Sequence, residues 1–262
     1  MSKQALAVVS FGTTYPAARA AIGQIEDSLQ QALPGWDFFR AFTSGMVIRK
    51  IEREEGVRIP TPQQLLEQLA AEGYTEVLCQ SLHVMPGQEY EKMLLQLAPY
   101  RERFDRLHLG KPMLFGARDY AYLCRRLLDT LPPLAPDAAY VYMGHGTEHF
   151  ANATYSQVEN MFRYLGGERV YVGTVEGFPD LEYIRRRLRH HGVRRVTLAP
   201  FMIVAGDHAQ NDLAGDEPDS WKSVLQKDGY EVACDLRGLG EMDAVRALFV
   251  GHARQALEEA NG

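Results

Sequence analysis

Residues 73–89, GYTEVLCQSLHVMPGQE, lie without a gap over residues 192–208, GVRRVTLAPFMIVAGDH, matching Gly73 to Gly192, Val77 to Val196 and Gly87 to Gly206. In each copy an apolar run of strand length ends in a glycine and a polar residue, the pattern of a buried strand giving way to a helix. Two shorter matches keep the same order. SFGTT at 10–14 lies over GHGTE at 144–148, with Gly12 on Gly146 and Thr13 on Thr147, and AFTSG at 41–45 lies over GTVEG at 173–177, with Gly45 on Gly177. Matches in one order across the chain point to a duplicated α/β unit.

The remaining sequence extends this reading. Apolar runs at 5–11, 36–42, 77–82 and 107–109 alternate with helical periodicity at 16–33, 45–55, 61–72 and 89–104. The order restarts with runs at 139–143, 169–175, 194–201 and 230–235, separated by helical stretches at 150–165, 180–190, part of 208–226 and 241–260. Strands alternating with helices imply parallel βαβ units whose strands are buried on both faces. The expected fold is therefore α/β, with two duplicated parallel-sheet domains facing each other across a cleft. Pro132, Pro133 and Pro136 interrupt the pattern at mid-chain. They suggest domains over 1–132 and 137–262, the second carrying the candidate metal ligands. The apolar stripe of the last helix (Val245, Leu248, Phe249, Ala253, Ala256, Leu257) either packs back on the first half or joins subunits of a homo-oligomer.

Composition narrows the classes of function. The 262 residues are 46% hydrophobic and 24% charged, with 28 basic against 34 acidic side chains and a net charge of -6. This is a folded, mildly acidic chain, which argues against nucleic acid as a partner. Cys79, Cys124 and Cys234 are odd in number and widely spaced, which fits neither a disulfide framework nor a zinc ribbon. No stretch approaches the length of a membrane span and the N-terminus lacks the pattern of a leader, so no membrane is expected and the cytoplasm is the expected compartment. The sequence contains no GxxxxGK[ST], no GxGxxG after the first strand and no GxSxG, so Walker-type ATP chemistry, dinucleotide binding and an esterase elbow are unsupported.

Ligands of open α/β sheets bind at the carboxyl ends of the strands. In the second half three residues follow three apolar runs at that edge: His145 after AAYVYMG, Glu176 after VYVGTV and His208 after TLAPFMIVAGD. Two imidazoles and a carboxylate suit a divalent first-row metal and leave positions open for exchange. The plainer alternatives are a hydrogen-bonded loop histidine, Glu176 as a cap for the helix near Pro179, and Asp207 as a cap beside His208. The duplicated half carries Phe11, Ser44 and Glu89 at the equivalent places. His149 is a candidate supporting neighbour of His145, and His83 a core or cleft-wall residue; RRRLRHH at 185–191 reads as a solvated helix face.

With VVSFGTT, FRAFTSGMVIRK (39–50), QSLHVMPGQEYEK (80–92), MGHGTEH (143–149), VEGFPD (175–180) and FMIVAGDHAQNDLAGDEPDSWK (201–222) on view, the chain resembles the anaerobic sirohydrochlorin cobaltochelatases over nearly its whole length. That resemblance implies two α/β halves related by a pseudo-twofold and cobalt held at the positions of His145, Glu176 and His208. It also implies insertion of Co²⁺ into sirohydrochlorin, or its precorrin-2 form, on the early-cobalt route to cobalamin. No ATP and no cofactor beyond the substrate metal are expected, since the product chelate is itself very stable.

The family places a proton acceptor at His145. A histidine bound to Co²⁺ cannot use the same lone pair as a base, so Glu89 is a second catalytic candidate. Arg40, Arg49, Lys50 and Lys92 are candidates to meet the carboxylates of the tetrapyrrole, and Phe11, Met46, Leu82, Met85 and Met202 to meet its flat faces. The rival readings are a chelatase using Fe²⁺ or Ni²⁺, which ligand type does not separate from Co²⁺, and a two-lobed metal or tetrapyrrole carrier.

Overall fold

A computed structural model describes residues 3–259. The chain divides into two compact units, one running to Phe115 and resuming at Gly240, the other spanning Gly116–Leu239.

In the first unit β1 (Gln4–Ser10), α1 (Pro16–Ala32), β2 (Asp37–Phe42), α2 (Gly45–Glu55), α3 (Pro62–Ala71), β3 (Glu76–Ser81), α4 (Gln88–Leu97) and β4 (Arg106–Gly110) follow one another. The strands form a parallel sheet in the order β2-β1-β3-β4. Thr61 closes a capping box with Gln64 ahead of Pro62, so α3 starts where the Thr-Pro pair placed it. One face of the sheet buries Val9, Ala41, Val77 and Cys79 against Leu65, Leu69, Met93 and Leu97 of α3 and α4.

The second unit runs through α5 (Ala117–Thr130), β5 (Ala138–Gly144), α6 (Ala153–Tyr164), β6 (Val170–Thr174), α7 (Leu181–His190), β7 (Arg195–Pro200), α8 (Trp221–Lys227) and β8 (Glu231–Cys234). Its strands are again parallel, in the order β6-β5-β7-β8. The helical stretch expected over part of 208–226 is met by a π-helical turn, Ala209–Leu213, and by the start of α8.

The duplication extends to individual backbone bonds. Leu82 N donates to Val9 O at 2.8 Å and Phe201 N to Met143 O at 2.7 Å; Thr43 N to Ser10 O at 2.9 Å and Val175 N to Gly144 O at 3.0 Å. Each pair joins residues superposed by the sequence matches or, for Val9 and Met143, directly preceding one. The side-chain turn is copied too, with Tyr15 N on Thr13 Oγ1 at 3.2 Å and His149 N on Thr147 Oγ1 at 3.1 Å.

The division at 132/137 is corrected by the structure. Helix α5, which the sequence reading left out, packs against α6 through Tyr120, Leu123, Cys124 and Leu127 and belongs to the second unit. Its apolar residues recur at i, i+3, i+4 and i+7, so the helical signal was present but overshadowed by the prolines that follow.

The last helix, α9 (Asp243–Glu259), packs on α1, β3 and β4 of the first unit. It buries Val245, Phe249, His252, Ala253 and Ala256. His108 of β4 fixes it from below, its Nδ1 donating to Ala256 O at 3.2 Å while Nε2 lies 3.0 Å from Glu76 Oε1. Removing a buried aromatic ring costs about 3–5 kcal/mol. Phe249→Ala is therefore expected to destabilise the first unit by that order and to speed hydrogen exchange in β3 and β4, while β5–β7 keep their protection.

Candidate metal and substrate site

The carboxyl edge of the second sheet is built by letting the parallel ladder run on past the strands. Val175 N bonds Gly144 O, and Glu176 N then bonds His145 O at 2.7 Å, which sets His145 and Glu176 side by side. Gly146 makes this approach possible. Its φ is +86°, and a Cβ there would sit 2.2 Å from Glu176 O, so only glycine fits on both conformational and steric grounds.

A buried tyrosine supports the turn from beneath. Tyr155 of α6 lies under Gly144, where a Cβ would come within 2.1 Å of its ring, and its hydroxyl accepts from Gly146 N at 3.3 Å. Burial pushes its phenol up to about 12, so it stays neutral in the physiological range.

Asn152, in a 3₁₀ turn before α6, joins the two loops. Its Oδ1 accepts from Thr147 N at 3.0 Å and its Nδ2 donates to Phe178 O at 2.5 Å. Only a primary amide supplies both halves of that bridge.

His145, Glu176 and His208 are brought together. His145 Nδ1 lies 3.8 Å from Glu176 Oε2, and the rings of His145 and His208 meet edge to face with centroids 4.5 Å apart. The side chains are 46%, 62% and 31% exposed, respectively, open to an arriving ion. The three are not drawn into a ligand set: among the described residues no group of three or more His, Cys, Asp or Glu side chains is placed so as to hold a metal ion.

Both imidazoles are oriented through Nδ1. His145 Nδ1 lies 2.9 Å from the carbonyl of Gly146, which can only accept, so this nitrogen carries the proton. His208 Nδ1 lies 2.7 Å from Asp212 Oδ2. A neutral ring held in this way has its lone pair on Nε2, the arrangement in which outer acceptors hold histidine for metal binding. Asp212 was missed in the sequence, although its position four residues after His208 on a helical turn was a usable signal.

One of the plainer alternatives, Glu176 as a helix cap, loses ground, whereas His145 is also a hydrogen-bonded loop histidine. Helix α7 is capped by Asp180, whose Oδ1 accepts from Tyr183 N at 2.8 Å, so Glu176 is not spent as a cap. Asp207 Oδ1 accepts from Asn211 Nδ2 at 3.0 Å. His149 Nδ1 accepts from Ala151 N at 3.2 Å, capping the 3₁₀ turn. Phe150 and Phe178, 79% and 60% exposed, stand on the same two loops as the candidate ligands.

In the first unit the equivalent positions diverge. Phe11 and Met46 are largely exposed, whereas Leu82 and Met85 are buried in the core. Ser44 caps α2 through Val47 N at 3.4 Å. Arg40 is not a free rim cation. It forms a two-pronged pair with the buried Glu26 of α1, its Nε donating to Oε1 at 2.7 Å and its Nη2 to Oε2. Glu89 opens α4, with Oε1 3.7 Å from Lys92 Nζ.

A cobalt chelatase (CbiK) family model matches residues 4–258. The chain belongs to the cobalt chelatase family. The sirohydrochlorin cobaltochelatase of Salmonella typhimurium is 44% identical over 261 residues, covering 98% of both chains. The sirohydrochlorin cobaltochelatase CbiKC of Nitratidesulfovibrio vulgaris is 31% identical over 260 residues, covering 98% of this chain and 92% of its own. Among solved structures, SirB from Bacillus subtilis with Fe³⁺ superposes with a TM-score of 0.68 at 14% identity, covering 99% of this chain and 98% of that one. CbiX, described as the terminal enzyme for biosynthesis of sirohaem in denitrifying bacteria, superposes at 0.57 with 15% identity, covering 97% and 99%. At these identities the two structures establish a shared chelatase fold.

The Asn152 bridge gives this chelatase edge a direct test. Asn152→Ala removes both bonds, one partly buried and one exposed, and their loss costs about 1–3 kcal/mol. Amide exchange at Thr147 and Gly177 is expected to accelerate about tenfold or more, with the strands of the second sheet unchanged, as measured by NMR or mass spectrometry.

Proposed function

We propose that this chain inserts Co²⁺ into sirohydrochlorin without ATP, with His145, Glu176 and His208 presenting the ion. The observation that carries the reading is the paired orientation of His145 and His208. Their rings touch while Gly146 O and Asp212 hold both Nδ1 atoms, leaving two Nε2 lone pairs at one exposed edge beside a carboxylate. The family membership and the names of the two curated relatives support cobalt and sirohydrochlorin over other metals and other macrocycles.

Insertion requires that an ion shed its water shell and that two pyrrole N–H protons leave the macrocycle. An open ligand set of two neutral imidazoles and one carboxylate binds a first-row ion while leaving sites for exchange. Protons pass to a neutral base, a role for which histidine is suited near neutral pH. His145 fills it when its Nε2 is not engaged by metal. Glu89 is the second base, with Oε2 buried and unmatched by any protein donor at the opening turn of α4. Fe²⁺ or Ni²⁺ would bind the same donors, so choice among them follows supply of the ion.

Among the described residues no helix is long and apolar enough to cross a membrane. The cysteines are free thiols, two of them buried. These features suit the cytoplasm, the compartment in which we place the reaction.

The test is anaerobic mixing of the protein with sirohydrochlorin and Co²⁺, without nucleotide, followed by absorbance of the chelate. Turnover is expected in the wild type and none above background in His145→Ala, with weakened Co²⁺ binding in Glu176→Gln and His208→Ala. A base contributes about 10²–10⁴-fold, so Glu89→Gln is expected to slow turnover at unchanged Co²⁺ affinity. Binding of both ligands without turnover would identify a carrier instead.

A further inference from the structure

Phe178 is an aromatic side chain that the fold holds out in water. It stands two residues after Glu176 and is 60% exposed, which forgoes the free energy that burying a phenyl ring releases. The backbone around it is fixed on both sides. Phe178 O accepts from Asn152 Nδ2 at 2.5 Å, and Pro179 O accepts from Thr174 N at 2.7 Å and Thr174 Oγ1 at 3.1 Å. Thr174 is itself buried at the end of β6. The ring leans on that of Tyr183 in α7, with centroids 5.0 Å apart and planes at 59°. Single exposed apolar residues are ordinary on protein surfaces, so exposure alone assigns nothing; position does.

Phe178 lines an open pocket of about 630 Å³ together with Glu176, Thr147, Glu148 and Gly177, all of the second unit. The phenyl ring therefore shares one space with the carboxylate of a candidate metal ligand. The duplication supplies an independent observation. The match of 41–45 on 173–177 continues by one residue to set Met46 on Phe178, and Met46 is 70% exposed. The residue type has changed between the copies, yet each keeps a large apolar side chain out at this point. Other residues read from the sequence as meeting a flat macrocycle fare differently, since Leu82 and Met85 are buried in the core.

The lining decides which part of a tetrapyrrole fits. Glu148 and Glu176 bring two carboxylates to the pocket, and like charges repel the acidic arms of the substrate. A flat conjugated face carries no such penalty. It also offers a phenyl ring the offset or tilted contact that aromatic systems prefer.

We infer that Phe178 is a substrate-binding residue, on whose ring one flat face of the tetrapyrrole rests beside the ion that Glu176 helps to present. This rests on sirohydrochlorin being the substrate. Macrocycle and ion are met by different side chains, so the two contacts come apart experimentally.

Metal-free sirohydrochlorin is titrated into wild type, Phe178→Ala, Phe178→Leu, Phe178→Trp and Tyr164→Ala, with absorbance as the readout and Co²⁺ affinity measured separately on each. An aromatic side chain stacked on a planar heterocycle is worth about five- to a hundredfold in binding. Phe178→Ala is expected to weaken tetrapyrrole binding by that factor and leave Co²⁺ affinity unchanged. Phe178→Leu, which keeps apolar volume without a flat face, is expected to weaken it less, and Phe178→Trp to retain it. Tyr164 is an exposed aromatic at the far end of α6, and Tyr164→Ala is expected to bind as the wild type does. Undiminished binding by Phe178→Ala overturns the inference. So does a parallel loss of Co²⁺ affinity, which marks support of the Glu176 loop, or a loss in Phe178→Trp or Tyr164→Ala equal to that in Phe178→Ala. Should Phe178→Ala fail to fold, Phe178→Leu decides, with weaker binding expected and wild-type binding overturning the assignment. Failure of the wild type itself to bind sirohydrochlorin removes the functional reading, and the inference with it.

Discussion

One backbone contact organises the chelatase edge. The ladder between β5 and β6 continues beyond both strands to the bond from Glu176 N to His145 O, and it can do so only because Gly146 has no side chain to strike Glu176 O. Two side chains from segments thirty residues apart in sequence are thereby held as neighbours before any ion arrives. Donors held in this way would need little further ordering of backbone to bind an ion. Tyr155 stabilises the same contact from the buried side beneath the turn, and Asn152 ties the two loops across it.

The two units show how a duplicated scaffold separates framework from chemistry. Strand order, ladder bonds and the threonine turn are repeated with little change. These are main-chain interactions, satisfied by any sequence with buried parallel strands of the right length. The carboxyl edge is where the copies differ, with Phe11, Ser44 and Glu89 at the positions that His145, Glu176 and His208 hold in the other copy. Residues at strand ends carry little of the core, so they change identity at small cost to folding while altering what the edge can bind.

Ion pairs are distributed by the same logic. Glu26 and Glu159 are buried carboxylates, each answered by arginines from neighbouring elements: Arg40 for the first, Arg163 and Arg187 for the second. Leaving either carboxylate unpaired would strand a buried charge, a costly state, so these arginines are committed to structure. The candidate ligands, by contrast, are partly exposed and bound only through Nδ1 or not at all.

Much of this was legible in the sequence because it rests on short-range patterns. Apolar runs of strand length, helical periodicity, the Thr-Pro start of α3 and the gap-free repeat located the strands, and the strand ends located His145, Glu176 and His208. What only the tertiary structure decided were pairings between segments whose spacing carries no period. They include α5 joining the second unit and α9 returning to the first, Arg40 spent on Glu26, and Asn152 tying the loops at Thr147 and Phe178. Helical periodicity shows that a face must be buried but not against which partner. Hydrogen bonds and ion pairs likewise depend on distances that a linear sequence does not contain.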